Sequence, residues 1–373
     1  MLLFGKEFER VRFNKKNKKK TVLDFKPINI LDNRMKETRI KHLLELVKNK
    51  NIAVIGDFCI DCYWLLSEAP IEYSIETNKP TFAVKKQKYS LGGAGNVIKN
   101  LIDVGVKNVF AFGVIGNDIF GREMITQMQA MNVDTASLLT QQENWDTPAY
   151  SKPFFGFEEQ ERIDFGRFNK ITSAIELSLI DKLKEKIKNM DALIINQQLK
   201  NSIYSDRIIK EINKIISENE TTIFLVDTRN KNNIDFNAFF KINAVEAAKL
   251  CGEKKEILEP ISISDLKRYA KTIFYTTKKT VFISIGERGI ILYNGDHYCQ
   301  IPGILITEKI DPVGAGDTVT ALLASLLTTE ADAEEAAAIA NLAAGVVIQK
   351  LYTTGTAALD EIIDMNKTAK YIL

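Results

Sequence analysis

Histidine is almost missing from this 373-residue chain, which has only His42 and His297. The first falls in a stretch with amphipathic helical spacing and the second in an expected hairpin turn. Histidine-based catalysis is therefore not expected, and a general base has to be a carboxylate. Cysteine is scarce as well, at positions 59, 62, 251 and 299. Cys59 and Cys62 form a C-x-x-C, a spacing open to a redox pair or half a zinc site. Zinc would need further ligands, and only two distant cysteines and two histidines remain, so the pair reads as reduced thiols at chance spacing. No apolar run approaches the roughly 18–20 residues of a spanning helix. The opening Met1-Leu-Leu-Phe meets Lys6, Glu7 and Glu9 too soon for a signal peptide, so a cytoplasmic location is expected. Fifty basic residues against 48 acidic leave a net charge of +2. No strong field points to nucleic acid or an anionic membrane, and neither is expected as a partner. No Gly-x-Gly-x-x-Gly follows the first strand, which argues against a dinucleotide-dependent dehydrogenase.

What is present is a 45% hydrophobic composition, enough for a sizeable core. Residues 1–33 read as a basic extension: Asn14-Lys-Lys-Asn-Lys-Lys-Lys has no apolar period and suits a solvated arm or contact with an anionic partner. From residue 34 to 373 no internal repeat or proline-rich linker appears, and one domain is the economical reading. The first clear strand is Ile52-Ala-Val-Ile-Gly-Asp. From 174 onward, helical stretches at 174–188 and 203–218 alternate with apolar strands at 192–196, 222–227 and 239–242. Such strands separated by helices predict an α/β fold with a mainly parallel sheet covered on both faces. Residues 63–90 and 148–168 lack helical period and carry short alternating runs, which predicts strands projecting from that sheet.

The densest chemistry lies at Asp311-Pro-Val-Gly-Ala-Gly-Asp317, which runs into a helix marked by Val319, Leu322, Leu323 and Leu326 at i, i+3, i+4, i+7. Gly314, Ala315 and Gly316 then open the helix, where backbone N–H groups lack partners and suit an anion. Asp317 stands one step away, placed to take a proton from a hydroxyl. The alternative is an Asp that merely caps its own helix. Asp57 and Asp61 follow the first strand, where they can accept hydrogen bonds from sugar hydroxyls or serve as turn residues. Gly92, Gly93 and Asn96, in Ser90-Leu-Gly-Gly-Ala-Gly-Asn, open another amphipathic helix and offer close approach plus a donor and an acceptor. Arg162 is suited to a phosphate on an acceptor or to pairing with Asp164. Asp227 ends a strand with Arg229 beyond it, and both are expected to point into the cleft.

Asp311-Pro-Val-Gly-Ala-Gly-Asp resembles the C-terminal signature of the ribokinase-like (PfkB-type) carbohydrate kinases, and the Gly92-to-Asn96 stretch resembles their N-terminal signature. The resemblance covers nearly everything after residue 50. It implies a three-layer α/β/α sandwich with a small β-strand lid, formed from strands within 63–90 and 148–168. It implies ATP and Mg²⁺ as cofactors, Asp317 as base, and the amides of Gly314, Ala315 and Gly316 as the hole for the transferring phosphoryl group. Asp57, Asp61, Gly92, Gly93 and Asn96 would meet the sugar. Asn243-Ala-Val-Glu246 is similar to the family's Asn-x-x-Glu element, with Glu246 reaching Mg²⁺ through water. Ser284, Gly286 and Gly289 would face the nucleotide. Asn341 and Gly345 would face adenine, although tight helix packing accounts equally for that alanine-rich helix. Asp311 lies where a monovalent cation such as K⁺ would bind, and a homodimer through the lid is expected.

Within the family the nearest likeness is to heptose-7-phosphate kinases, on Gly56-Asp57…Asp61-x-Tyr63-Trp64, Gly92-to-Asn96 and Asn341-Leu-Ala-Ala-Gly-Val-Val. Two departures touch the acceptor. Tyr73-Ser-Ile-Glu-Thr-Asn-Lys-Pro80 replaces Arg-x-Ser-Pro-Glu-Ala-Pro, and Asp227-Thr-Arg-Asn replaces Asp-Pro-Lys-Gly. A non-catalytic sugar or nucleotide sensor and a nucleoside kinase are the competing readings, the latter drawing on Tyr73, Phe82 and Tyr89 for base stacking.

Overall fold

A computed structural model describes residues 36–156, 158–229, 237–256, 259–351 and 354–372. The basic extension at 1–33 lies outside them.

The chain enters through helix α1 (Glu37–Val47), which buries Ile40, Leu43, Leu44 and Val47 at helical spacing. Strand β1 (Asn51–Gly56) leads into β2 (Phe58–Leu66), which leaves the main sheet. A short hairpin, β3 (Glu72–Tyr73) and β4 (Pro80–Thr81), precedes β5 (Val84–Gly93), which returns to helix α2 (Ala94–Asp103). Then come β6 (Asn108–Gly116), α3 (Ile119–Ala130), β7 (Asp134–Gln141), β8 (Ala149–Phe155), β9 (Glu158–Glu159), β10 (Ile163–Asp164) and α4 (Ser173–Lys186). The next four units are β11 (Ala192–Gln197), α5 (Asp206–Glu218), β12 (Ile223–Thr228) and β13 (Phe239–Asn243). Helices α6 (Ala244–Leu250) and α7 (Ile263–Thr277) precede the meander β14 (Val281–Ser284), β15 (Ile290–Tyr293) and β16 (Tyr298–Ile301). Helices α8 (Ala315–Leu326), α9 (Ala333–Val347) and α10 (Leu359–Thr368) complete it.

Nine strands form the main sheet in the order β16-β15-β14-β13-β12-β11-β1-β6-β7. Every neighbour from β7 to β14 pairs in parallel, and β15 and β16 are antiparallel. Alternation along each strand divides the core. Ile52, Val54, Ile194 and Leu225 join α1, α2, α8, α9 and α10 on one face. Ala53, Ile55, Leu193, Ile195, Phe224 and Val226 join α4, α5, α6 and α7 on the other. This is the three-layer α/β/α arrangement, with period-2 side chains feeding both faces of a buried parallel sheet. Helix α5 shows how a layer is held: Ser205 caps it and Ile208, Ile209, Ile212, Ile215 and Ile216 are its buried stripe.

A second sheet, ordered β10-β8-β2-β5, stands at the carboxyl end of β1 and joins segments far apart in sequence. Asp61 on β2 lies beside Ser90 on β5 and Tyr150 on β8. Strand order in the main sheet reverses between β1 and β11, and both the second sheet and the loop after β11 open at that crevice. Ligands of open α/β sheets bind at such switch points.

Candidate functional site

The crevice is a cleft of about 430 Å³ whose walls include Asp61, Gly92, Gly93, Asn96, Arg162 and Asp317. Gly314, Gly316, Tyr150, Arg229 and Thr354 also line it. The two glycine signatures and the small sheet therefore meet at one place.

Its floor is the start of α8. Gly314 is the N-cap, with φ of 88°, a left-handed conformation that lets the chain turn into the helix without a Cβ clash. Asp311 shapes the approach: its carboxylate accepts from the Val313 amide at 3.1 Å, and its own amide donates to the Ile348 carbonyl at 2.8 Å. Of the three amides expected to hold an anion, that of Ala315 already donates to the Pro312 carbonyl at 3.2 Å. The amides of Gly314, Gly316 and Asp317 donate to no acceptor among the described residues. The amides left uncommitted at this helix start are therefore those of Gly314, Gly316 and Asp317, and the expected set of Gly314, Ala315 and Gly316 loses Ala315.

Asp317 faces the cleft from the first turn of α8, half-buried. Burial pushes its carboxyl up to about 6, against the N–H of Asn96, which lowers it. The charge of Asp227 raises it further, and Lys241 and Arg229 pull it down. Asn96, fully buried at the start of α2, donates from Nδ2 to Asp317 Oδ2 at 2.7 Å. Its amide therefore holds the carboxylate. Its Oδ1 has no partner among the described residues.

On the opposite wall Asp61 pairs with Lys152 of β8 at 2.9 Å. Lys152 also donates to the Tyr63 hydroxyl at 3.4 Å. Gly92 is needed here, because a Cβ would lie 2.9 Å from Asp61 Oδ2 and 2.8 Å from Cys59 Sγ. Arg162 stacks on Tyr150, 4.5 Å from the ring centroid, and grips Asp164 through Nε and Nη2 at 2.6 and 2.9 Å. Of the two uses foreseen for Arg162, the structure shows the pairing with Asp164; its Nη1 takes no hydrogen bond among the described residues.

Asp57 corrects the sequence expectation. It is 3% exposed and does not line the cleft. Its Oδ2 accepts from the amides of Gln198 and Leu199 at 2.8 and 2.9 Å, and Oδ1 accepts from Ile203 at 3.4 Å. Burial still pushes its carboxyl up to about 6, against those amide donors. The side chain ties the loop after β11 to β1, and of the two aspartates only Asp61 lines the cleft. Asp227 departs too: at 3% exposure it is paired inside the protein with Lys241 at 3.2 Å and Thr320 at 2.7 Å.

Of the remaining expected nucleotide residues, Asn243 and Ser284 lie in register at the carboxyl ends of β13 and β14, Gly286 and Gly289 follow β14, and Asn341 and Gly345 are on α9; none of them lines the cleft described above. Asn243 and Glu246 form a reciprocal capping box at α6, with bonds of 2.9 and 2.8 Å. Burial, then the charge of Asp227, raises the Glu246 carboxyl. Glu246 Oε1, 3.7 Å from Arg229 Nε, is not used by the box and can accept from a metal-bound water. Among the described residues no group of three or more His, Cys, Asp or Glu side chains converges to hold a metal directly. The donor set therefore fits an outer-sphere Mg²⁺, which keeps most of its waters. Ser284 donates to the Ile242 carbonyl at 3.3 Å. Gly286 and Gly289 have φ of 62° and 91° in the turn after β14. Asn341 donates to the Pro302 carbonyl at 3.0 Å, and Gly345 packs on Ile304.

Lys241 is the residue that sequence reading passed over. Its side chain is 6% exposed, in the middle of Phe239-Phe-Lys-Ile-Asn. A lone lysine in an apolar strand was the available signal, because a buried ammonium must have a partner. A Cβ on Gly316 would sit 3.2 Å from its Nζ. Lys152, Tyr150 and Thr354 were missed for another reason: only strand pairing brings them to the cleft.

A family profile described as pfkB family carbohydrate kinase matches residues 49–359. The bifunctional protein HldE of Aliarcobacter butzleri is 30% identical over 331 residues, covering 86% of this chain and 65% of that protein. The protein of the same name from Helicobacter pylori strain G27 is 28% identical over 327 residues, covering 87% and 68%. The chain thus spans about two thirds of the length of these relatives. Among solved structures, ribokinase from Thermotoga maritima superposes with a TM-score of 0.63 at 17% identity, covering 86% of this chain and all of that one. Phosphofructokinase-2 from Escherichia coli, solved in complex with potassium, gives a TM-score of 0.66 at 17% identity, with 85% and 98% covered.

Proposed function

Because this chain belongs to the pfkB family of carbohydrate kinases, we propose that the cleft transfers the ATP γ-phosphoryl group to a sugar hydroxyl, with Asp317 as base. The observation that carries the reading is one carboxylate, half-buried and raised to about 6, beside helix-start amides that have no acceptor among the described residues. The acceptor oxygen forms a bond to the γ-phosphorus, the bond to the β-phosphate oxygen breaks, and ADP leaves. The acceptor proton passes to Asp317. Gly314, Gly316 and Asp317 amides hold the phosphoryl oxygens where charge accumulates. Asp61 orients the acceptor hydroxyls, and Gly92 and Gly93 let the sugar approach the backbone.

Mg²⁺ when bound neutralises nucleotide phosphate charge, and Glu246 with Asn243 would hold its waters. Ser284, Gly286 and Gly289 border the nucleotide in this reading, with Asn341 and Gly345 behind them. A monovalent cation such as K⁺ beside Asp311 belongs to the same proposal. Arg162 is held by Asp164 but keeps Nη1 uncommitted in the cleft lining, which supports an acceptor that already bears a phosphate, heptose-7-phosphate being the leading candidate on the sequence likeness.

ADP release in the presence of ATP, Mg²⁺ and a panel of free sugars, sugar phosphates and nucleosides tests this directly. Turnover with a sugar phosphate above all others is the expected result. Binding without turnover across the panel would leave a sensor, and preference for a nucleoside would replace the acceptor class. Asp317→Asn should keep the fold, by circular dichroism and melting, and lose about 10³-fold in kcat, within the span of general-base contributions. Wild-type kcat in that variant would remove Asp317 from the mechanism.

A further inference from the structure

We propose that Lys241 is a second catalytic residue, its ammonium contacting the transferring phosphoryl group at the floor of the anion hole; this rests on the kinase reading above. Four observations converge. Phe240 and Ile242, its neighbours on β13, belong to the core on one face of the sheet, so Lys241 projects to the other, toward α8. Its side chain is 6% exposed, and its one hydrogen bond among the described residues is to Asp227, at 3.2 Å. Three N–H donors on one ammonium therefore leave two uncommitted. Gly316 is the residue directly above, since even a methyl there would stand 3.2 Å from Nζ.

The surroundings read as a device for aiming that charge. Asp227 Oδ2 also accepts from Thr320, one turn into α8, at 2.7 Å. Thr320 in turn donates to the Gly316 carbonyl at 3.0 Å. The lysine, its carboxylate and the helix start are thus tied through Gly316. A fixed cation facing the place where phosphoryl charge accumulates needs no reorganisation during reaction, the condition under which such groups act most strongly. The groups that set the charge on Asp317 are Asp227 on β12, Lys241 on β13, Arg229 beyond β12, and the Asn96 amide from α2. Cys59 on β2 is also within the reach of its charge. Lys241 pulls the Asp317 carboxyl down, so removing it has a signature that a packing defect lacks.

The test compares the full-length wild type with Lys241→Met and with Lys241→Met/Asp227→Asn, the double variant leaving no buried carboxylate without its cation. Affinity for ADP alone and for Mg²⁺·ADP·aluminium fluoride, which imitates the phosphoryl group in flight, is measured by calorimetry. Both variants should hold ADP as the wild type does and lose 30-fold or more on the fluoride complex. Their kcat should fall about 10²–10³-fold, the size typical of one lost donor in such a hole. The acid limb of kcat/KM in Lys241→Met should move to higher pH. Equal loss of affinity for both ligands, or no loss on either, would overturn the assignment. So would an unmoved acid limb in a folded Lys241→Met enzyme. A wild type that shows the Lys241-dependent fluoride affinity but phosphorylates nothing in the acceptor panel would sink the kinase reading and leave Lys241 a phosphoryl ligand.

Discussion

Asp317 shows how the chemistry proposed for a residue can run against stability. Its carboxyl titrates near 6 when folded, against 3.8 for the free group, because burial outweighs the Asn96 donor. The native state therefore binds the proton more tightly than the unfolded chain. Stability from this group is full below about pH 4, falls as pH rises toward 6, and is lowest above it, where Asp317 is charged and ready as a base. Asp317→Asn removes that charge and keeps the hydrogen bond from Asn96. It should raise stability at pH 7.5 by roughly 1–3 kcal/mol, from about 1.4 kcal/mol per pKa unit. The gain should vanish at pH 4. Paired thermal melts at the two pH values check this, and an equal shift at both would show that the charge is not the cause. kcat/KM of the wild type should decline below pH 6 for the same reason. The place of Asp317 on the first turn of a helix was readable from Gly-Ala-Gly-Asp because a helix start and its first carboxylate are local. The partners of Asp57, Asn96 and Lys241 were not, since each is chosen by a residue on another element. Asn96 meets Asp317 across 221 positions and Asp57 meets Leu199 across 142.

Whole elements follow a similar division. Strand alternation was enough to place Leu193 and Ile194 on opposite faces, and the parallel sheet followed from apolar strands separated by helices. The small sheet was foreseen only as two segments of projecting strands. Its register, with Asp61 between Ser90 and Tyr150, depends on pairings that no local pattern encodes. The junction of β5 and α2 is where the chain turns from the small sheet into the helix layer, and Gly93 makes it possible. Its φ is 54°, and a Cβ there would stand 2.5 Å from the Asp57 carbonyl oxygen, a rigid backbone atom. Gly93→Ala should lower stability by about 2 kcal/mol or more, through left-handed strain plus displacement of the Asp57 segment. Because α2 carries Asn96, kcat should fall with it. Denaturant unfolding and turnover measured on the same preparation decide the matter. A variant with unchanged midpoint would mean that this corner relaxes freely and does not hold the site.

At the scale of the molecule, most of the exposed large hydrophobic side chains among the described residues lie on the small sheet or the segments joined to it. Ile71, Tyr73, Ile75, Ile163 and Phe168 are 64%, 60%, 97%, 52% and 91% exposed, all on this sheet or its connecting segments. Exposed large apolar side chains gathered on the elements beside a ligand cleft are a common mark of an interface. The outer strand β5 carries Lys85, Lys86 and Lys88, all exposed, a charge pattern that discourages open-ended edge pairing. Apolar surface with a guarded edge favours a closed, two-fold dimer over a filament, because an isologous contact buries the same patch on both copies. The expected state is therefore a homodimer through the small sheets, with each cleft roofed by a sheet that its partner braces. Sedimentation at micromolar concentration should give twice the 42.1 kDa chain mass. Ile75→Glu combined with Phe168→Glu should return it to one chain. Neither residue lines the cleft, so the affinity of the double variant for ADP should be unchanged. The acceptor KM should nonetheless rise, since Asp61 and Lys152 sit on the sheet that has lost its brace and Arg162 directly precedes its strand β10. A monomeric wild type would refute the assembly. A dimer that survives both substitutions would move the interface to another face.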